Sequence, residues 1–94
     1  MSVPLDPGAV PRLVRGVRLR HDETRGAWVL LAPERVLHPD PVAIEILQRV
    51  DGSTSLSGIV DDLVRVFAAD RDRIDEDVRT FLAGLVEKGF LEFS

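Results

Sequence analysis

Residues 17–38 constrain the fold of this chain more than any other stretch. They read as three short β-strands in an up-down meander, and nearly everything after them reads as helix. The third strand therefore has no sequence-adjacent strand to cover its outer edge, and an uncovered edge is a template for a visiting chain. In Val17-Arg18-Leu19-Arg20-His21 apolar side chains alternate with arginines, the period-two signature of a half-buried strand. Asp22-Glu23-Thr24-Arg25-Gly26 is polar and ends in the residue that most readily takes the positive φ of a short hairpin loop. Ala27-Trp28-Val29-Leu30-Leu31 is apolar throughout, as suits a central strand, and Trp28 is expected as the largest anchor of the core. Ala32-Pro33 makes a tight return, and Glu34-Arg35-Val36-Leu37-His38 is the third strand, closed by Pro39.

Three helices follow. Asp40 is placed to cap the first, with Pro41 at its first helical position and Ala43, Ile46, Leu47 and Val50 on one face before Asp51-Gly52. Ser55 caps the second, whose apolar stripe is Leu56, Ile59, Val60, Leu63, Val64 and Phe67. The third begins between Asp70 and Arg73, carries Ile74, Val78, Phe81, Leu82, Leu85 and Val86 at helical spacing, and stops at Gly89. Its opening turns hold Asp72, Asp75, Glu76 and Asp77, favourable beside the positive end of the helix dipole, and Lys88 suits the opposite end. Phe90 to Phe93 form a short tail, one more strand or a cover over the core.

Ninety-four residues provide one core, burying roughly 60–70% of the surface exposed by the unfolded chain. The absence of cysteine rules out a disulfide framework and thiolate chemistry, and no apolar run is long enough to span a bilayer, which makes a cytoplasmic protein without membrane partners the expectation. Residues 1–11 contain Pro4, Pro7, Gly8 and Pro11 and lack the basic start and apolar stretch of a secretory signal. They read as a mobile arm ahead of a single domain over 12–94. Arg12 to Gly16 either extend the first strand or lie against the helices. A free edge and a loose arm together permit self-association by edge pairing or arm exchange.

The fold class is thus α+β, a three-stranded antiparallel meander followed by three helices with the composition of a winged-helix-turn-helix-like domain. Such domains often bind DNA, but here the net charge is −4 and the would-be recognition helix opens with four carboxylates that would face phosphates. No nucleic-acid partner is expected. Catalysis finds no constellation either. His21 and His38 match no metal-ligand spacing, Ser53, Ser55 and Ser57 occupy turn and cap positions, and the acidic run from Asp70 to Asp77 lacks the glycine and terminal glutamate of a calcium loop. Neither a metal nor a cofactor is implied.

An ordered set of residues carries a resemblance. Pro11-Arg12-Leu13, Gly16-Val17-Arg18-Leu19, Trp28-Val29-Leu30-Leu31-Ala32-Pro33-Glu34, Ile46-Leu47, Asp51-Gly52, Ile59, Leu63, Phe67, Asp77-Val78, Phe81-Leu82, Leu85 and Lys88-Gly89 span nearly the whole chain. Together they resemble the PqqD family, the peptide chaperones, or RiPP recognition elements, of pyrroloquinoline quinone (PQQ) biosynthesis. The resemblance implies a non-catalytic domain that binds a small ribosomally made precursor peptide and presents it to a radical-SAM enzyme, which cross-links a Glu and a Tyr of the peptide. It also implies that the peptide adds as a strand beside the third strand, over a groove walled by the third helix. The competing reading is a winged-helix regulator or protein-interaction scaffold.

Elementary energetics lead to the same place. Backbone hydrogen bonds along an edge net only about 0.5–1.5 kcal/mol each and select no sequence, whereas ordering each guest residue costs about 1–2 kcal/mol. Buried side-chain anchors, worth about 1.5–3 kcal/mol each, must supply the margin and the specificity. The expected peptide-binding residues are Glu34, Arg35, Val36, Leu37 and His38 on the strand and Ile74, Asp77, Val78 and Phe81 on the helix. Each has a plainer reading as well. Ile74, Val78 and Phe81 lie on the stripe that builds the core, Asp77 serves the helix dipole, and Glu34 and Arg35 are charges that discourage edge aggregation.

Overall fold

The computed structural model describes residues 6–94. Strands β1 (Pro11–Leu13), β2 (Arg18–Asp22), β3 (Ala27–Ala32) and β4 (Arg35–Leu37) are followed by helices α1 (Pro41–Leu47), α2 (Leu56–Phe67) and α3 (Arg71–Glu87), and by β5 (Leu91–Phe93). The meander forms as expected, antiparallel in the order β2-β3-β4 with Leu19 opposite Leu30 and Leu30 opposite Leu37. The hairpin after β2 closes with Gly26 at φ 65° donating to the Asp22 carbonyl. The return after β3 is as short as expected but lies one residue later, at Pro33-Glu34 between the paired Ala32 and Arg35. Glu34, expected on the third strand, sits instead in the turn at φ 62°, and β4 spans only three residues, so His38 too lies outside it.

A second ribbon settles the open question about residues 12–16. β1 does not extend β2 but pairs antiparallel with β5, Pro11 opposite Phe93 and Leu13 opposite Leu91. Ahead of it, the Ala9 carbonyl accepts from the Leu56 amide and the Pro7 carbonyl from the Ser57 amide, satisfying two donors that the first turn of α2 would otherwise leave free. The stretch expected as an arm is therefore hydrogen-bonded to the domain from Pro7 onward, while residues 1–5 fall outside the described ones.

The helices start and stop on identifiable chemistry. Asp40, Ser55 and Asp70 each accept from an amide in the first turn of the helix they precede. At the end of α3 the Phe90 amide donates to the Leu85 carbonyl and that of Gly89, at φ 81°, to the Val86 carbonyl, the paired bonds of a Schellman cap. That cap turns Phe90 into the core, where it is the largest fully buried side chain. Trp28 does not hold that place. It is half-buried at the far end of the sheet, outside the core cluster, in an edge-to-face contact with His21. The core lies between the Leu19–Leu30–Leu37 face of the sheet and the helices, built around Leu30, Ile46, Leu56, Ile59, Val60, Leu63, Val78, Leu82, Phe90 and Leu91. Val50 comes after α1 has ended, packed against this cluster, and Phe67 at the end of the α2 stripe is 45% exposed.

Arg49, between α1 and α2, ties the two together through Glu45 and Asp62. The Arg49 hydrogen bond holds the Asp62 carboxyl below its usual range. Burial pulls the Arg49 guanidinium down, but its bonds to Asp62 and Glu45 outweigh this and leave it raised. The amides of Thr54 and Ser53 and the Thr54 hydroxyl likewise hold Asp51 low.

Candidate functional site

The three-stranded sheet has two outer strands, β2 and β4, and neither outer edge is paired among the described residues. β4 adjoins an apolar cleft, whereas the hollow beside β2, lined by Gly16, Val17, Arg18, Leu31, Ala32 and Pro33, is as polar as it is apolar. A cavity of about 390 Å³ opens between the end of β4 and α3, lined by Leu37 and His38 on one side and by Asp77, Phe81, Leu85 and Lys88 on the other. α1 contributes Val42, Ala43 and Ile46 to the same cavity.

The register decides which backbone groups face outward. Ala32 and Arg35 flank the two-residue loop, and the pair that closes such a loop exchanges ladder hydrogen bonds. Pairs alternate in an antiparallel ladder, so Leu31 and Val36 form the non-bonded pair and the N–H and C=O of Val36 point away from β3. Side chains alternate as well. Leu37 shares the core face with Leu30 and reaches the cleft, whereas Val36 stands with Leu31 on the opposite face, 52% exposed.

The structure thus divides the nine residues named from sequence. Leu37, His38, Asp77 and Phe81 line the cleft, and Ile74 lines an adjoining cavity. Val36 presents backbone rather than a cleft-facing side chain. Val78 has no exposed surface and touches only a void of about 40 Å³, so it is core. Arg35 is occupied structurally, since its guanidinium donates to the Lys88 carbonyl at 3.0 Å and lies 4.3 Å from the Phe90 ring centre, clamping β4 to the C-terminal end of α3. Glu34, exposed in the turn, lines none of these cavities. The contribution of α1 escaped the sequence reading. The available signal was Val42, an apolar residue off the Ala43–Ile46–Leu47 stripe and 52% exposed.

His38 is the one histidine of the cleft, which Asp40, Asp77 and Lys88 also line, while His21 is engaged with Trp28 and lies 3.6 Å from Glu23. No group of three or more His, Asp or Glu placed to hold a metal ion occurs among the described residues, and none of their helices is long and apolar enough to cross a membrane.

A family model described as coenzyme PQQ synthesis protein D (PqqD) matches residues 27–91, which include the whole cleft. The chain belongs to the PqqD family. It is 49% identical over 90 residues to the PqqA binding protein of Rhodopseudomonas palustris strain BisB5, covering 96% of this chain and 88% of that one. Among solved structures it resembles the PqqD truncation of Methylobacterium extorquens PqqCD, described as a functional, stand-alone RiPP recognition element, with a TM-score of 0.78, 45% identity and 94% of both chains covered. PqqD from Xanthomonas campestris superposes with a TM-score of 0.56 at 42% identity, covering 94% of this chain and 93% of that one. The α+β architecture expected from sequence is therefore that of PqqD domains, and the family is the one its residues suggested.

Proposed function

We propose that this PqqD protein is a non-catalytic recognition element of the cytoplasm that binds a PqqA-type precursor peptide and presents it to a radical-SAM enzyme for Glu–Tyr cross-linking. The observation that carries the reading is the juxtaposition of a free strand edge with an apolar cleft on the same element, β4. A guest strand paired at Val36 sends alternate side chains into the cleft beside Leu37 and Phe81 and the intervening ones onto the outer face beside Val36. The edge gives attachment without sequence preference, and the cleft supplies selection. The names of the relatives, PqqA binding protein and RiPP recognition element, support this assignment.

The test is isothermal titration of the protein with synthetic Rhodopseudomonas palustris PqqA, paired with amide exchange. A micromolar complex corresponds to about 8 kcal/mol and gives clear heat at peptide concentrations of about 100 μM. Protection is expected to rise at Val36 and His38 while the amides of β2 change little, and the peptide is expected to be recovered chemically unaltered. Silence in both measurements would overturn the assignment, and protection confined to β2 or α2 would misplace the site.

A further inference from the structure

Beyond the cleft, the same trough continues to the turn between α2 and α3. A second cavity, of about 570 Å³, is lined there by Val42, Phe67, Ile74, Asp70, Arg73 and Asp77. It shares Val42 and Asp77 with the β4 cleft, so the two adjoin. Scattered exposed apolar residues are ordinary on a protein surface, but Val42 and Phe67, 52% and 45% exposed, line one cavity from two helices. The polar groups at its rim already have partners. Asp70 accepts from the Arg73 amide, and the Arg73 guanidinium lies 3.9 Å from the Asp77 carboxylate. What the cavity leaves unsatisfied is apolar surface.

Length favours the flanking part of an extended peptide as the occupant. The rise along α3 from Ile74 to Leu85 is about 16 Å, which an extended chain covers in roughly five residues. β4 has three residues, enough to pair with only about 10 Å of guest. A peptide paired with β4 and continuing past His38 in the line of the trough therefore arrives over Val42 and Phe67 with residues that have no strand to pair with.

Resting on the peptide-binding reading above, the geometry points to a second anchor subsite. The Val42–Phe67–Ile74 cavity takes a bulky apolar side chain of the precursor peptide from the segment that flanks the strand-paired residues. Edge pairing holds the backbone at one end of the trough, and this subsite fixes the register at the other, because a slip of one residue turns the flanking side chain away from the cavity.

The experiment compares Phe67→Ala and Val42→Ala with Val66→Ala, all three residues being substantially exposed and Val66 lining neither cavity. Each variant is titrated with synthetic Rhodopseudomonas palustris PqqA, and its melting temperature is recorded. Phe67→Ala and Val42→Ala are expected to weaken binding about tenfold, with Val66→Ala within about twofold of the parent. At saturating peptide the protection at Val36 is expected to persist in all three. Because Val42 lines the β4 cleft as well, Phe67 is the deciding residue: parent-like affinity in Phe67→Ala, with Phe81→Ala impaired, would overturn the subsite and leave peptide binding intact. An equal loss in Val66→Ala would also overturn it. Failure of the parent itself to bind would remove the underlying reading and the subsite with it.

Discussion

Replacing Val36 by proline separates the edge of β4 from everything else the strand does. The Val36 N–H points outward, away from β3, so its removal costs the folded domain no ladder bond. Proline is tolerated at such positions of edge strands. Its fixed φ adds a small strain, and about 1 kcal/mol lost from folding would lower Tm by about 4–8 °C in a domain of this size. For the bound peptide the change is larger, because the guest carbonyl that would accept from Val36 faces a ring instead. A buried acceptor left without a partner costs about 1–3 kcal/mol, or about 5- to 150-fold in Kd. Val36→Ala is the necessary control, since it keeps the N–H and forfeits only the side-chain contact across the new strand pair, worth about 0.2–1 kcal/mol. Titration with PqqA at a temperature where circular dichroism shows all three proteins folded measures the difference. If Val36→Pro binds as tightly as Val36→Ala, the guest does not pair with this edge and the register argument fails.

Arg35→Ala is expected to lower stability by about 1 kcal/mol through loss of its stacking on Phe90 and its bond to the Lys88 carbonyl, with Arg35→Lys failing to recover the stacking; urea midpoints of the three proteins decide it. Val78→Asp places a carboxylate where no surface is exposed, so it is expected to abolish cooperative thermal unfolding at neutral pH, whereas Phe81→Ala at the cleft leaves a folded protein that binds peptide weakly. Asp62 and Asp51 are held low by the hydrogen bonds they accept, so their folded pKa values lie below the unfolded ones. Their contribution to stability is present above the unfolded value of about 4 and is lost as pH falls through the folded values. The urea midpoint is therefore expected to drop below about pH 4, less steeply in the Asp51→Asn, Asp62→Asn double variant; an unchanged slope in that variant would refute the assignment.

Most of the architecture was legible because it depends on local rules. The alternation in 17–21, the Gly26 hairpin, the caps at Asp40, Ser55 and Asp70 and the stop at Gly89 are short-range effects in which the residue and its hydrogen-bonding partner lie within a few positions of each other. The apolar spacing of α2 and α3 showed which faces turn inward, and the ordered residues from Pro11 to Gly89 carried the resemblance to the family that the comparison shows.

Where an apolar side chain ends up is a different matter, because periodicity ranks faces of an element and not positions in the assembled domain. Val78 and Phe81 belong to one helical stripe, yet Val78 is sealed under α1 and α2 neighbours while Phe81 reaches the cleft. Phe67 continues the α2 stripe, but the chain turns at Ala68 before anything covers it, and Trp28 lies beyond the reach of the helices. The pairing of β1 with β5 joins residues some eighty positions apart, and the entry of Val42 into the site depends on how α1 packs beneath the meander. Short-range chemistry in the sequence by itself determined the meander, the three helices with their caps, and the free edge of the third strand. Only the tertiary structure decided which apolar residues became core and which became the walls of a peptide groove, since burial is set by what the remaining elements happen to cover.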